Sequence, residues 1–175
     1  MNAASSPLSH VTSLEEVAWG IVLIAVTMAI HAFAMPITLL ASHRLHSRLS
    51  GVRRFRNGVV VLLVASWMIV STHLIEVVVW AGFLYLHDAF PNGAAAYYFA
   101  LLQYTTVGSD LTLPDRWRLL GGMIAMAGLL TFAWSTAVLL TLAQRVQDEG
   151  LQRMGSVTGA ERPEGSGDTA EGRYR

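Results

Sequence analysis

The stretch YTTVGSDLTLP, residues 104–114, carries the residues best suited to chemistry in this chain. Successive carbonyls of Thr106, Val107 and Gly108, with the Thr106 hydroxyl as an inner ring, would replace the hydration shell of a cation if four chains surrounded one axis. Gly108 offers the positive-φ conformations that a ladder of aligned carbonyls needs. Val107 is stiff and apolar, suited to pack behind such a ladder while its carbonyl faces the ion. The candidate ion-binding residues are therefore Thr105, Thr106, Val107, Gly108, Ser109 and Asp110. Asp110 and Asp115 would also gather cations at the mouth.

A second group is His73 and Glu76, an H-x-x-E pair on one helix face. A carboxylate within an apolar segment is costly and marks a functional site by default. Three readings stay open: a buried hydrogen-bonded pair, a proton-sensing or gating element, and, with His31, a metal site. The pattern is not the H-E-x-x-H of a zinc protease, and no second histidine follows on that face. No metal is expected beyond permeant monovalent cations. A third group, Gly128, Thr131, Ser135, Val138 and Leu142, recurs at i, i+3, i+4 spacing. Small and polar above and apolar below, it suits a hydrated cavity over a gate that closes by dewetting. The same residues also suit close helix packing and hydroxyl bonds to i−4 carbonyls.

The elements that must position these groups are membrane helices. Segments 17–41, 58–86 and 119–143 each meet the length of about 20 apolar residues that a bilayer requires. Charged residues are only 14% of the 175 and concentrate between and after these segments. The net charge of zero gives no reason to expect nucleic acid as a partner, and the absence of Cys excludes disulfides and thiolate metal sites. The basic residues are all Arg, which reads as a compositional habit.

The link SHRLHSRLSGVRRFRNG holds Arg44, Arg48, Arg53, Arg54 and Arg56, whereas the residues before the first segment hold none. The positive-inside rule makes that link cytoplasmic and the N-terminus external, and Arg145 and Arg153 return the C-terminus to the cytoplasm. The link chiefly sets topology, with contact to anionic lipid headgroups as the sharper reading. A cleaved signal peptide is not expected, since residues 1–13 lack a basic n-region. The expected organisation is an external leader (1–16), a peripheral membrane helix (17–41), a basic cytoplasmic loop (42–57), a pore module (58–147) and a disordered cytoplasmic tail (148–175). Between the second and third segments, GAAAYYFALLQY (93–104) is apolar but too short to span, with Pro91 and Asn92 as its start and Asn92 as N-cap. It is expected to re-enter the membrane from one side, its C-terminal carbonyl end favouring a cation.

With TTVG at its centre, THLIEVVVWA before the short helix, and LPDRWRLLGG and FAWSTAVLL after it, the region 71–140 resembles the pore module of the tetrameric potassium-channel superfamily. More narrowly, it is similar to small bacterial ion channels of the two-helix-pore type, with an extra N-terminal helix. The resemblance implies an all-α integral membrane protein with three transmembrane helices, a re-entrant pore helix and a filter loop, assembled as a homotetramer in a bacterial inner membrane. It implies passive conduction of monovalent cations, needing no cofactor and no partner beyond self and membrane lipid. Gly128 stands where inner helices of that family often hinge.

The departure from the family lies in the filter, where TVGYGD is replaced by TVGSD. Deleting one residue keeps Asp110 in the family's aspartate place; without a gap it takes the second glycine position. In either alignment the aromatic that braces the filter is lost at Ser109, so the inner sites are expected to persist and potassium-over-sodium selectivity to weaken. Two other readings stand: a pore-like structural or sensory subunit that does not conduct, and a membrane enzyme or metal transporter centred on His31, His73 and Glu76. Against the latter, the sequence has no nucleophile–base arrangement or cofactor motif. No membrane segment carries a spaced arginine series of the voltage-sensing kind.

Overall fold

The computed structural model describes residues 14–49 and 54–160, with side chains for 14–49 and 57–148. It consists of α1 (Leu14–Arg48), α2 (Arg54–Leu86), α3 (Gly93–Tyr104), a 3-10 turn at Asp115–Trp117 and α4 (Leu120–Ala160). Helices α1, α2 and α4 are long and apolar enough to cross a membrane. At about 1.5 Å per residue, even the 33 residues of α2 reach well past a hydrocarbon layer of roughly 30 Å.

Helix α1 packs inside-out relative to a helix folded in water. Along α1 the buried residues are Glu16, Gly20, Leu23, Thr27, His31, Met35, Thr38 and Ser42, a stripe recurring every three or four positions. Ile21, Val22, Val26, Phe33, Ile37 and Leu40 lie exposed on the rest of the helix. Lipid tails solvate such apolar surface, while small and polar residues let helices approach and bond to one another.

Helix α3 packs against α2 and α4, and α1 packs against those same two helices. The core at the α3 end joins Trp80, Leu84, Phe90, Phe99, Ala100, Tyr104, Leu120 and Ile124. Asn92 starts α3 as expected: its backbone is extended and its side-chain Oδ1 accepts the Ala95 amide at 2.8 Å. Arg116 donates to the His87 carbonyl at 2.7 Å, and Trp117 packs edge-on to Phe83 and His87. The Arg116–Trp117 pair therefore ties the turn before α4 to the end of α2, with Trp117 buried inside the chain.

Two expectations about the elements are corrected and one is filled in. First, the helix containing 17–41, expected in a peripheral supporting role to the pore, packs against both α2 and α4. Its Glu16 carboxylate accepts the Leu119 amide at the start of α4, where a helix presents its positive end. Gly20 lies so close to Met123 of α4 that a Cβ there would sit 2.1 Å from the sulfur. Second, most of the link at 42–57 is helical, because α1 runs to Arg48 and α2 starts at Arg54; residues 50–53 lie outside the described residues. Third, α4 runs to Ala160, so 148–160 is helix where disorder was expected. Residues 1–13 of the leader and 161–175 of the tail lie outside the described residues.

Candidate functional site

The helices converge on one buried polar cluster. His31 Nδ1–H donates to Glu76 Oε1 at 2.9 Å, linking α1 to α2. The Tyr104 hydroxyl, from the last residue of α3, donates to Glu76 Oε2 and meets Thr131 Oγ1 of α4 at 2.6 Å. His73 Nδ1 lies 3.0 Å from that same hydroxyl and 3.3 Å from Glu76 Oε2. Ser135 Oγ of α4 sits between the two imidazoles, 3.0 Å from His73 Nε2 and 3.2 Å from His31 Nε2. Trp134 lies beside the His31 ring, and Phe132 packs 4.5 Å from the His73 ring centre.

All six polar side chains are buried, and Glu76 is fully so. A carboxylate in that position costs several kcal/mol unless its oxygens are satisfied, and both are. The ligand atoms of His31, His73 and Glu76 all lie within 4.8 Å of one another, which is compact enough for a metal. In this structure those atoms are already engaged with Glu76, Tyr104 and Ser135. The hydrogen-bonded reading of His73 and Glu76 thus describes the geometry, enlarged from a pair to a cluster.

Beyond Tyr104 the chain turns back on the end of α3. The amides of Thr105, Thr106, Val107 and Gly108 donate to the carbonyls of Leu101, Gln103, Leu102 and Leu102, at 2.9–3.2 Å. Thr106 has φ 61° and Gly108 has φ 82°, with no positive φ at Val107 between them. Glycine adopts this backbone freely, whereas Thr106 does so at about 1–2 kcal/mol, a strain that tends to mark functional loops. Ser109 Oγ receives the Leu111 amide at 3.0 Å, so the residue in the bracing position closes a local turn. Thr105, Thr106, Val107, Gly108 and Asp110 are exposed and Ser109 is half-buried. Within one chain Val107 is 73% exposed, so the packing expected behind it does not come from its own chain.

Most of the α4 stripe expected to line a cavity is turned into its own chain. Thr131, Ser135 and Leu142 are buried in their own chain, and a Cβ on Gly128 would lie 2.0 Å from the Tyr104 carbonyl oxygen. Thr131 donates toward the Ala127 and Gly128 carbonyls or to Tyr104, and Ser135 serves the imidazoles. Val138 is half-buried. Gly128 is therefore small so that α4 can touch the end of α3. Residues turned into one chain's interior cannot line a cavity shared between chains. Tyr104 is the functional candidate that sequence reasoning missed. Its signal was a phenol one residue before TTVG, at the end of an apolar helix.

Residues 72–145 match the family model described as "Ion channel". The match starts beside His73 and takes in the rest of α2, α3, the loop and α4 as far as Arg145, leaving α1 outside. No curated protein and no solved structure matches the chain. The match, over less than half of the chain, supports an ion channel in general. With the three apolar helices it supports a multi-pass membrane protein.

Proposed function

We propose that the chain is one subunit of a homotetrameric cation channel, in which the loop after α3 forms the ion-stripping filter. The observation that carries this reading is the loop backbone: four amides consumed by α3, left-handed φ at Thr106 and Gly108, and exposure of residues 105–108. Four such loops around an axis would present rings of carbonyls at a separation that suits a dehydrated monovalent cation. Helix α3 would re-enter the membrane and aim its negative C-terminal end at the same axis. Exposed Val107 would pack against a neighbouring subunit, and Asp110 and Asp115 would raise cation concentration at the mouth.

With the stripe at Gly128 turned inward, the cavity would take an exposed α4 face, such as Leu129, Phe132, Thr136 and Leu140 at i, i+3, i+7 and i+11. The Arg-rich link would lie in the cytoplasm, with the N-terminus outside a bacterial-type inner membrane. Ser109 in place of the bracing aromatic would leave the outer sites loose, so potassium would be preferred over sodium only weakly.

The test is flux through purified protein in liposomes, potassium against sodium, with Gly108→Asp as the blocked control. Cation flux abolished by Gly108→Asp is the expected result, with a small potassium preference. Absence of flux from a well-formed tetramer would overturn conduction and leave a pore-like structural or sensory subunit.

A further inference from the structure

With Glu76 ionised and both imidazoles neutral, the buried cluster is one hydrogen short of filling its contacts. With Glu76 ionised, its Oε1 takes the His31 Nδ1 hydrogen and its Oε2 takes the Tyr104 hydroxyl hydrogen. His31 Nε2 is then an acceptor, and Ser135 is the group beside it able to supply a hydrogen. Ser135 Oγ in turn accepts from His73 Nε2–H. In a neutral His73 this leaves Nδ1 as a bare lone pair, facing the Tyr104 oxygen at 3.0 Å and Glu76 Oε2 at 3.3 Å. Turning the Ser135 hydroxyl the other way moves the defect without removing it: His73 is satisfied, and His31 Nε2 then faces the Ser135 oxygen. Letting Tyr104 donate to His73 instead exposes Glu76 Oε2 to the phenol oxygen. Each arrangement with Glu76 ionised and both imidazoles neutral leaves one contact without a hydrogen.

Charge points the same way. Glu76 is fully buried among α1, α2, α3 and α4, where a lone carboxylate is strongly disfavoured. The titratable groups meeting there are His31 from α1, His73 and Glu76 from α2, and Tyr104 from α3. Helix α4 contributes the Thr131 and Ser135 hydroxyls and the Phe132 and Trp134 rings. One added proton fills the empty contact and neutralises the cluster at once.

We propose that the cluster is a proton-binding site, holding one proton beyond the complement of an ionised Glu76 and two neutral imidazoles and sharing it between His31 and His73 through Ser135. The transfer balances: His73 Nε2 gives its proton to Ser135 Oγ as Ser135 gives its own to His31 Nε2, and the reverse step restores the start. His73 is the cluster member with the largest remaining surface, 8%, and so is the entry point for the proton. The site reports to the loop through Tyr104, which lies directly before Thr105 and whose carbonyl touches Gly128. Loss of the proton sets lone pairs against each other at the Tyr104 hydroxyl and loosens the base of the loop. The site itself stands apart from the proposed conduction; its effect on flux rests on that reading.

The test is imidazole 15N NMR of the full chain in detergent micelles, in a background carrying His10→Gln, His43→Gln, His46→Gln and His87→Gln, so that His31 and His73 alone give signals. One imidazolium per chain at neutral pH, lost in Glu76→Gln, is the expected result. Two neutral rings, or ring nitrogens held by a stoichiometric metal, would overturn it. Ser135→Ala offers a second variant should Glu76→Gln not fold. It is expected to keep one imidazolium but localise it on a single ring, and two neutral rings there would again overturn the site. Potassium flux in liposomes is expected to fall severalfold as pH rises through loss of the imidazolium signal. Flux level through that loss would remove the coupling to the loop. Silence at every pH with the imidazolium present would fail the channel reading while upholding the proton site.

Discussion

The buried cluster and the loop after α3 are neighbours in sequence at Tyr104 and opposites in construction. The cluster draws on all four helices, and its polar atoms are engaged inside one chain. The loop has its amides engaged by α3, and Val107 is uncovered. One region is finished by the chain's own fold, and the other is shaped by that fold but left for something else to complete. Substitutions in the first should therefore act on folding, and substitutions in the second on whatever the loop binds.

Gly128→Ala should have the largest effect and would break the comparison if it did not. A Cβ there meets the Tyr104 backbone oxygen at 2.0 Å, and backbone cannot move aside as a side chain can. The cost should reach about 3 kcal/mol or more, at the upper end for overpacking. The expected readout is loss of monodisperse protein in detergent and a large drop in thermal stability. Gly20→Ala is the contrast. Its obstruction is the flexible end of Met123, so it should cost under about 1.5 kcal/mol, as for a core change that repacks.

Gly108→Ala should show the reverse profile. The residue has φ 82° with open space around its Cβ position, so alanine pays only the left-handed penalty of about 1–2 kcal/mol. Folding should be largely preserved in melting curves, while cation flux in liposomes should fall at least tenfold as the carbonyl ladder relaxes. A variant that melts like the parent and also conducts like it would remove the loop from the permeation path.

The same contrast explains how much could be read from the sequence. Helix α3 and its Asn92 cap were legible because a twelve-residue apolar run bounded by Pro-Asn and Thr-Thr has few other ways to begin and end. Positive φ at Gly108 was legible from residue type, whereas φ 61° at Thr106 was not, since threonine normally avoids that region. The α4 stripe at Gly128, Thr131 and Ser135 was legible as a face but not in its direction. A water-filled cavity and a helix interface in lipid both select small and polar residues. Tyr104 was missed for a related reason, because nothing local reveals that Glu76, 28 residues earlier, lies within reach of its hydroxyl. The first helix was underrated because its polar residues look sparse in an apolar run. Their recurrence every three or four positions, with His31 at the centre, is what places it against α2 and α4.

Direction on α4 can be sharpened by accessibility, with a smaller effect on the protein. The chain has no native Cys, so a single introduced thiol reports cleanly. Thr136→Cys, on an exposed face, should react with a membrane-impermeant thiol reagent in liposomes if that face lines a wet cavity. Ser135→Cys, one residue away but buried, should react at least tenfold more slowly. Equal protection of both would place Thr136 against lipid or another subunit and move the cavity to a different α4 face.

The smallest effect concerns how α3 itself is held, because this helix joins the two regions. At its start an exposed Asn92 side chain satisfies the Ala95 amide, and at its end Tyr104 is locked into the buried cluster. Asn92→Ala removes one hydrogen bond from an otherwise unchanged helix and should cost about 1 kcal/mol. Because the cluster fixes the other end, the loss should stay local: faster amide exchange at Ala95 and Ala96, with little change from residue 101 onward, where the loop amides are held. Flux and ion preference should match the parent. Faster exchange reaching the amides of Val107 and Gly108 would mean that the cap, separated from the loop by the twelve residues of α3, helps to set the loop geometry. The division between a finished cluster and an unfinished loop would then have to include the start of α3 as well as its end.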